Sequence, residues 1–388
     1  MSISWGNWAV RVYAAEAWVS LAPRFAAERP EIVDRISEIL TDHQPAVRLQ
    51  AAQNLQVINM AASARMWEMG ERIAMEETDA RVLTAYLGRS LRRFSHTEPE
   101  RCEHILLIVK GRLDDFADDA VGRDHIQECM GGWVAQLQAG QGRSLAGTWL
   151  DEWAADPVRF QNALNSYTSS LRGAFFGRYA GEAEQGDREM NDRAQEGLAK
   201  ILRSALDISA KAHAVLASGA PDGEKRAAGM EYSAAERVIH HAMNQLYFGA
   251  GAHAKNNEDG PGLTTAGAKA LFLTDYAGIL ALLQRSREPA TQHHLIELYS
   301  YLIPGNPVVV FTAIHAILTG PGADEGYQFE SLGSAAVVKM VRRYIADHRS
   351  IFDDPKRRAS LVEILQLFSD VGWTDAIRLL YDLPDLLR

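Results

Sequence analysis

Apolar residues recur along this chain at the spacing of a helix. Ile32, Ile36, Ile39 and Leu40 form one such set, and Leu361, Ile364, Leu365 and Phe368 another. Each set lines one face of a 3.6-residue turn. No run alternates convincingly with period two, and Ala, Leu, Arg and Glu, which enter helices at little cost, dominate. The pattern predicts an all-α protein. Its punctuation agrees. Pro30 opens a helix over 31–40, where a proline in the first turn removes an N–H that has no partner anyway. Thr41-Asp42 and Pro45 turn the chain and restart it as a paired helix over 47–61. Thr78-Asp79 follows 37 residues after Thr41-Asp42 and introduces a helix over 80–94, with another over 99–113.

The same offset appears in the residues themselves. Trp8-Ala9-Val10-Arg11-Val12-Tyr13-Ala14-Ala15-Glu16-Ala17-Trp18 aligns with Pro45-Ala46-Val47-Arg48-Leu49-Gln50-Ala51-Ala52-Gln53-Asn54-Leu55. A period of this size marks stacked helical units that bury their faces against neighbours. Asp42, Pro45, Val47, Arg48, Ala51, Ala52 and Leu55 fill the pattern D-x-x-P-x-V-R-x-x-A-A-x-x-L, which resembles the second helix of a HEAT (armadillo-like) repeat. The resemblance covers residues 5–60 best and degenerates towards 115. It implies an α-solenoid of antiparallel helix pairs. It also implies a structural role for Arg11 and Arg48, pairing with acidic turn residues such as Asp42 between neighbours.

Further along, the repeat fades. Gly131-Gly132, Gly140-Gln141-Gly142 and Gly147 interrupt the pattern around Trp133, Trp149 and Trp153, and 180–187 and 217–229 read as loops. The longest non-helical stretch predicted is 249–267, and loops beyond about 12–15 residues are usually functional or disordered. Helical pairs return after Pro307 and Pro355, and Gly372 precedes a last helix from Thr374. The organisation expected is HEAT-like repeats over 1–125, an irregular helical middle over 126–250 and a helical C-terminal region over 251–388. From Gln245 onward the texture also resembles the helical tails of large bacterial nucleotide-binding signalling or defence proteins.

A net charge of −10 and a pI near 5.7 oppose general nucleic-acid binding, which needs a basic face to release counterions, and docking on anionic membranes. Cys102 and Cys129 are the only cysteines, too few for a disulfide framework. The start lacks a basic, apolar leader, and the apolar run at 308–318 is too short to span a bilayer. The location expected is the cytoplasm.

Candidate chemistry is sparse. Arg89, Arg92 and Arg93 stand at i, i+3 and i+4, with Arg81 earlier, a stripe suited to a phosphate or acidic partner because Arg offers oxyanions a planar fork. The plainer reading pairs them with Glu98, Glu100 or Glu103. Arg342-Arg343 and Arg357-Arg358 carry the same two readings. His240-His241 after Glu236, His253, and His293-His294 before Glu297 invite a metal, yet no His-Glu-x-x-His or paired-Cys motif completes one. Iron hydroxylases on HEAT-like arrays use several His-Glu dipeptides, whereas this chain has only the reversed Glu103-His104. Gly249-x-Gly251 is no dinucleotide fingerprint, and Gly223-Glu224-Lys225 and Gly267-Ala268-Lys269 lack Walker A spacing. No catalytic residue, cofactor or metal is expected.

The function expected is a non-catalytic scaffold or sensor region that binds a macromolecular partner, a protein. In the long segment, His253, Lys255, Asn256 and Asn257 are the candidate contacts. The alternative is a nucleic-acid-binding helical array using Arg89, Arg92 and Arg93. Such an array resembles alkylpurine DNA glycosylases, for which Trp133, Trp149, Asp151 and Trp153 would form the aromatic and carboxylate site. A terminal repeat needs a polar outer face, but Trp5, Trp8, Val10 and Trp18 crowd the N-terminal edge. The expectation is a longer protein or an oligomer that covers this edge.

Overall fold

The computed structural model describes residues 9–179, 181, 183–253, 263–321, 326–329 and 331–387. The regular structure of these residues is all helical, with no strand among them. They divide into two compact units, residues 1–138 with 143–146 and residues 139–142 with 147–388.

In the first unit, helices Val10–Phe25, Pro45–Ala52, Ala80–Ala85 and Ala120–Ala135 pack one on the next in chain order. Helix Glu31–Ile39 packs on Val10–Phe25, and Asn59–Glu76 on Pro99–Gly111. Val12, Ala15, Val19 and Ala22 turn one face of the first helix inward. Val12 and Ala15 form a core cluster with Val47, where short side chains let the helices approach closely. Pro45 and Pro99 occupy first helical turns.

Two helices expected here are shorter than their patterns. The helix over 47–61 stops at Ala52, and a 3₁₀ turn over Leu55–Ile58 precedes the helix that starts at Asn59. The Asn54 side chain donates back to the Gln50 carbonyl at 3.2 Å, an alternative to continued helix. The helix over 80–94 changes form twice, to a π turn over Tyr86–Ser90 and a 3₁₀ turn over Leu91–Phe94. The Leu87 carbonyl accepts the buried Trp133 indole N–H at 3.0 Å.

Long helices Gln185–Leu216 and Asp222–Ala250 pair along their lengths in the second unit. The latter also packs against Pro157–Ser170 and Pro289–Leu302. Helices Pro307–Leu318 and Ser331–Asp347 lie on Pro289–Leu302, and Pro355–Asp370 pairs with Thr374–Leu386. Several glycines that interrupt the apolar pattern sit inside helices. Gly131-Gly132 lies within Ala120–Ala135. Most of 217–229 belongs to a helix from Asp222, favoured by acidic Asp222 and Glu224 in its first turn. Gly251 does end that helix, in the left-handed region at φ 81°, which glycine adopts without penalty.

Candidate functional site

Three helices of the second unit bring its histidines together. On Asp222–Ala250, His240, Asn244 and Tyr247 recur at helical spacing and so share a face. His293, His294 and Glu297 come from Pro289–Leu302. Asn165 and Gln161 come from Pro157–Ser170, which Asp156 caps by accepting the Arg159 N–H at 3.1 Å.

The rings form a stack. Tyr247 lies parallel to His294, with centroids 4.6 Å apart and planes within 4°. His240 covers His294 at 5.5 Å and 23°. His294 Nδ1 donates to Asn244 Oδ1 at 2.6 Å, which fixes its tautomer and leaves Nε2 as an acceptor. Tyr247 donates its hydroxyl proton to Glu297 Oε2 at 2.6 Å. His241 Nε2 accepts from the Gln245 amide at 3.1 Å, whose own oxygen is held by Arg172 at 2.6 and 2.9 Å. His253 meets Phe248 at 5.3 Å and Tyr247 at 6.4 Å.

Electrostatics follow burial. Desolvation holds His240, His241 and His294 below the ordinary imidazole pKa, and the neighbouring His240 and His293 depress His294 further. The buried Glu236 carboxyl is pushed up by desolvation, although the Ser209 and Ser286 hydroxyls donate to it at 2.5 and 2.8 Å. A site of neutral hydrogen-bonding rings results. The stack borders two cavities. One of about 430 Å³ is lined by Asn165, Arg237, His240, Asn244 and Glu288, among others, and one of about 400 Å³ by His293, His294 and Tyr327. Glu288 and Ala290 line both. Among the described residues, no group of three or more His, Cys, Asp or Glu could hold a metal ion.

Elsewhere the structure separates the arginines singled out by sequence. With Tyr86–Ser90 a π turn and Leu91–Phe94 a 3₁₀ turn, Arg89, Arg92 and Arg93 do not share one α-helical face. Arg89 donates to Gln53 Oε1 at 2.9 Å, Arg92 lies over the Trp133 ring at 5.4 Å, and Arg93 is exposed. The carboxylates proposed for them are engaged by others. Arg143 holds Glu100 and Glu103 at 2.6 Å each, and Glu98 lies 3.7 Å from Arg101. Arg343, Arg357 and Arg358 donate to backbone carbonyls of Ser300, Ile351 and Phe352. Arg11 pairs with Asp42, and Arg48 holds Glu77 with two hydrogen bonds. Trp133, Trp149 and Trp153 are buried, while Asp151 pairs with Lys200 at 3.2 Å. Of the long-segment candidates, Lys255, Asn256 and Asn257 lie outside the described residues, as do Trp5 and Trp8.

Nothing in the sequence marks Asn165, Arg237, Asn244 or Tyr247 singly. The one local signal was the spacing of His240, Asn244 and Tyr247, which marks a shared polar face. No family model, curated relative or solved structure matches the chain.

Proposed function

We propose that the chain is a non-catalytic recognition module, in which HEAT-like helix pairs of the first unit present a surface to a protein partner. The observation that carries this reading is helix Val10–Phe25, which is apolar on both sides. While Val12, Ala15, Val19 and Ala22 face the core, Val10, Tyr13, Ala14, Ala17 and Leu21 form a second stripe that is exposed. Val10 is 83 % exposed, Tyr13 51 % and Leu21 41 %. A contiguous exposed apolar stripe suits a protein contact. The repeat reading draws support from helices that pack in chain order and from ion pairs between successive units, Arg11 to Asp42 and Arg48 to Glu77.

Affinity capture from a lysate of the source organism, with and without nuclease, tests the proposal. A stoichiometric protein retained after nuclease treatment and lost from a Tyr13→Asp, Leu21→Asp variant supports it. Recovery of nucleic acid alone, or a protein captured equally by the variant, overturns it.

A further inference from the structure

We infer that the cavity between helices Pro157–Ser170, Asp222–Ala250 and Pro289–Leu302 is a small-molecule site for a planar heteroaromatic ligand bearing an anionic group, the chemistry of a purine nucleotide. This goes beyond recognition of a protein partner and stands on the second unit alone. The volume of about 430 Å³ falls in the range of ligand pockets, roughly 300–1,000 Å³.

Three features of the wall select the ligand. The first is the ring stack. Tyr247 and His294 are nearly coplanar in orientation, His240 ends the series, and no ring other than His294 stacks on His240 among the described residues. A fourth planar ring in the cavity that His240 lines would continue the stack, and nucleobases offer the required π-face.

The second feature is an unmet acceptor. Asn165 lines the cavity, and its Oδ1, shielded from solvent, has no hydrogen-bond partner among the described residues. A buried acceptor left unpaired costs free energy that a ligand N–H would recover once the Asn165 amide turns towards the cavity. The Glu288 carboxylate on the same wall offers a further acceptor for an amine or sugar hydroxyl.

The third is Arg237. It is exposed at the cavity one helical turn before His240 and forms no ion pair or hydrogen bond among the described residues. Its planar fork is available to a phosphate or carboxylate. Burial keeps His240 neutral near pH 7, so the ring presents a π-face and a lone pair without competing for the anion.

The test is calorimetric titration of the full chain with AMP, adenosine and ribose 5-phosphate, together with NMR of histidine-labelled protein. AMP is expected to bind and move the His240 ring signals, adenosine to bind more weakly and ribose 5-phosphate not to bind. Arg237→Ala should weaken AMP about tenfold or more and leave adenosine unchanged, as for loss of one charged hydrogen bond. His240→Ala should abolish AMP binding, while His240→Phe, which keeps a ring and guards against misfolding as the cause, should retain it. No heat and no His240 shift with millimolar AMP overturns the proposal. So does AMP binding that survives both Arg237→Ala and His240→Ala.

Discussion

Arg48 grips Glu77 through two hydrogen bonds, Nε to Oε2 at 2.9 Å and Nη2 to Oε1 at 2.6 Å. Both side chains are largely buried, at 13 % and 5 % exposure. Arg48 also donates to the Asp42 carbonyl at 2.8 Å, and Glu77 accepts the N–H groups of Thr78 and Asp79 at 3.0 and 2.8 Å. The pair therefore ties one helix to the turns on either side of it. The hydrogen bond to Glu77 is the main reason that the Arg48 guanidinium is held above its usual pKa.

Removing one partner of such a pair leaves the other charge buried and uncompensated. Arg48→Met should lower the unfolding free energy by about 3 kcal/mol, measured in urea at pH 7. Arg48→Met with Glu77→Gln should recover part of that loss, because the stranded charge is gone. A double variant as unstable as the sum of the two single ones would show that the pair contributes nothing through its coupling.

Helical periodicity and proline placement made the class of fold legible. Pro45, Pro99, Pro307 and Pro355 do occupy first helical turns. What local pattern could not encode were the places where distant groups take over a backbone bond. The π turn over Tyr86–Ser90 leaves the Leu87 carbonyl to a tryptophan 46 residues away. The arginine stripe needs the period of an α-helix, which the chain abandons there. The histidines were visible, but their meaning depends on the register of two helices about 50 residues apart. That register spends their rings on stacking and hydrogen bonds. Arg237 and Asn165 carried no signal, because an isolated polar residue on a helix is ordinary.

The depressed histidines make stability depend on pH in a definite direction. Below about pH 6.5 the unfolded chain binds protons at His240, His241 and His294 that the folded chain resists. The stability they contribute is therefore present above the unfolded value and is lost as pH falls towards the folded values. Glu236 acts oppositely, since its raised pKa adds stability that is lost as pH rises through it. Each histidine contributes at most about 1.4 kcal/mol per pH unit within its window. Melting temperature should fall between pH 7.5 and 5.5, and His294→Asn should flatten that slope. A slope unchanged by the substitution would mean that other groups dominate.

Gly305 packs where no side chain fits. A Cβ there would stand 2.6 Å from the Ala270 nitrogen and 2.7 Å from the Lys269 carbonyl carbon. Both are backbone atoms, so no rotamer change relieves the contact, and the helix Ala266–Asp275 would have to move. Gly305→Ala should destabilise the chain by about 1–3 kcal/mol, the usual range for overpacking. Gly223→Ala, where a Cβ meets nothing within 4 Å, serves as the control and should be neutral or stabilising within a helix. Equal effects at the two positions would mean that the loop before Pro307 adjusts freely.

The two thiols supply a measure of how tightly the first unit closes. Burial pushes both Cys102 and Cys129 up to about 12. The thiolate is the nucleophile, so at pH 7.5 its population is very small, and Cys102 is buried besides, while Cys129 is partly exposed. Cys102 sits on Pro99–Gly111, fully buried, with its Sγ 3.8 Å from the Leu91 carbonyl. Cys129 lies on Ala120–Ala135 near Gly88 of the π turn. Native protein treated with an aromatic disulfide reagent should therefore release almost no chromophore over minutes, and two equivalents after unfolding. Arg48→Met should speed the native reaction if the ion pair holds the neighbouring helices together, because openings that expose the thiols become more frequent. Rapid modification of Cys129 alone in the unaltered protein would show instead that the π turn opens independently of the rest of the unit.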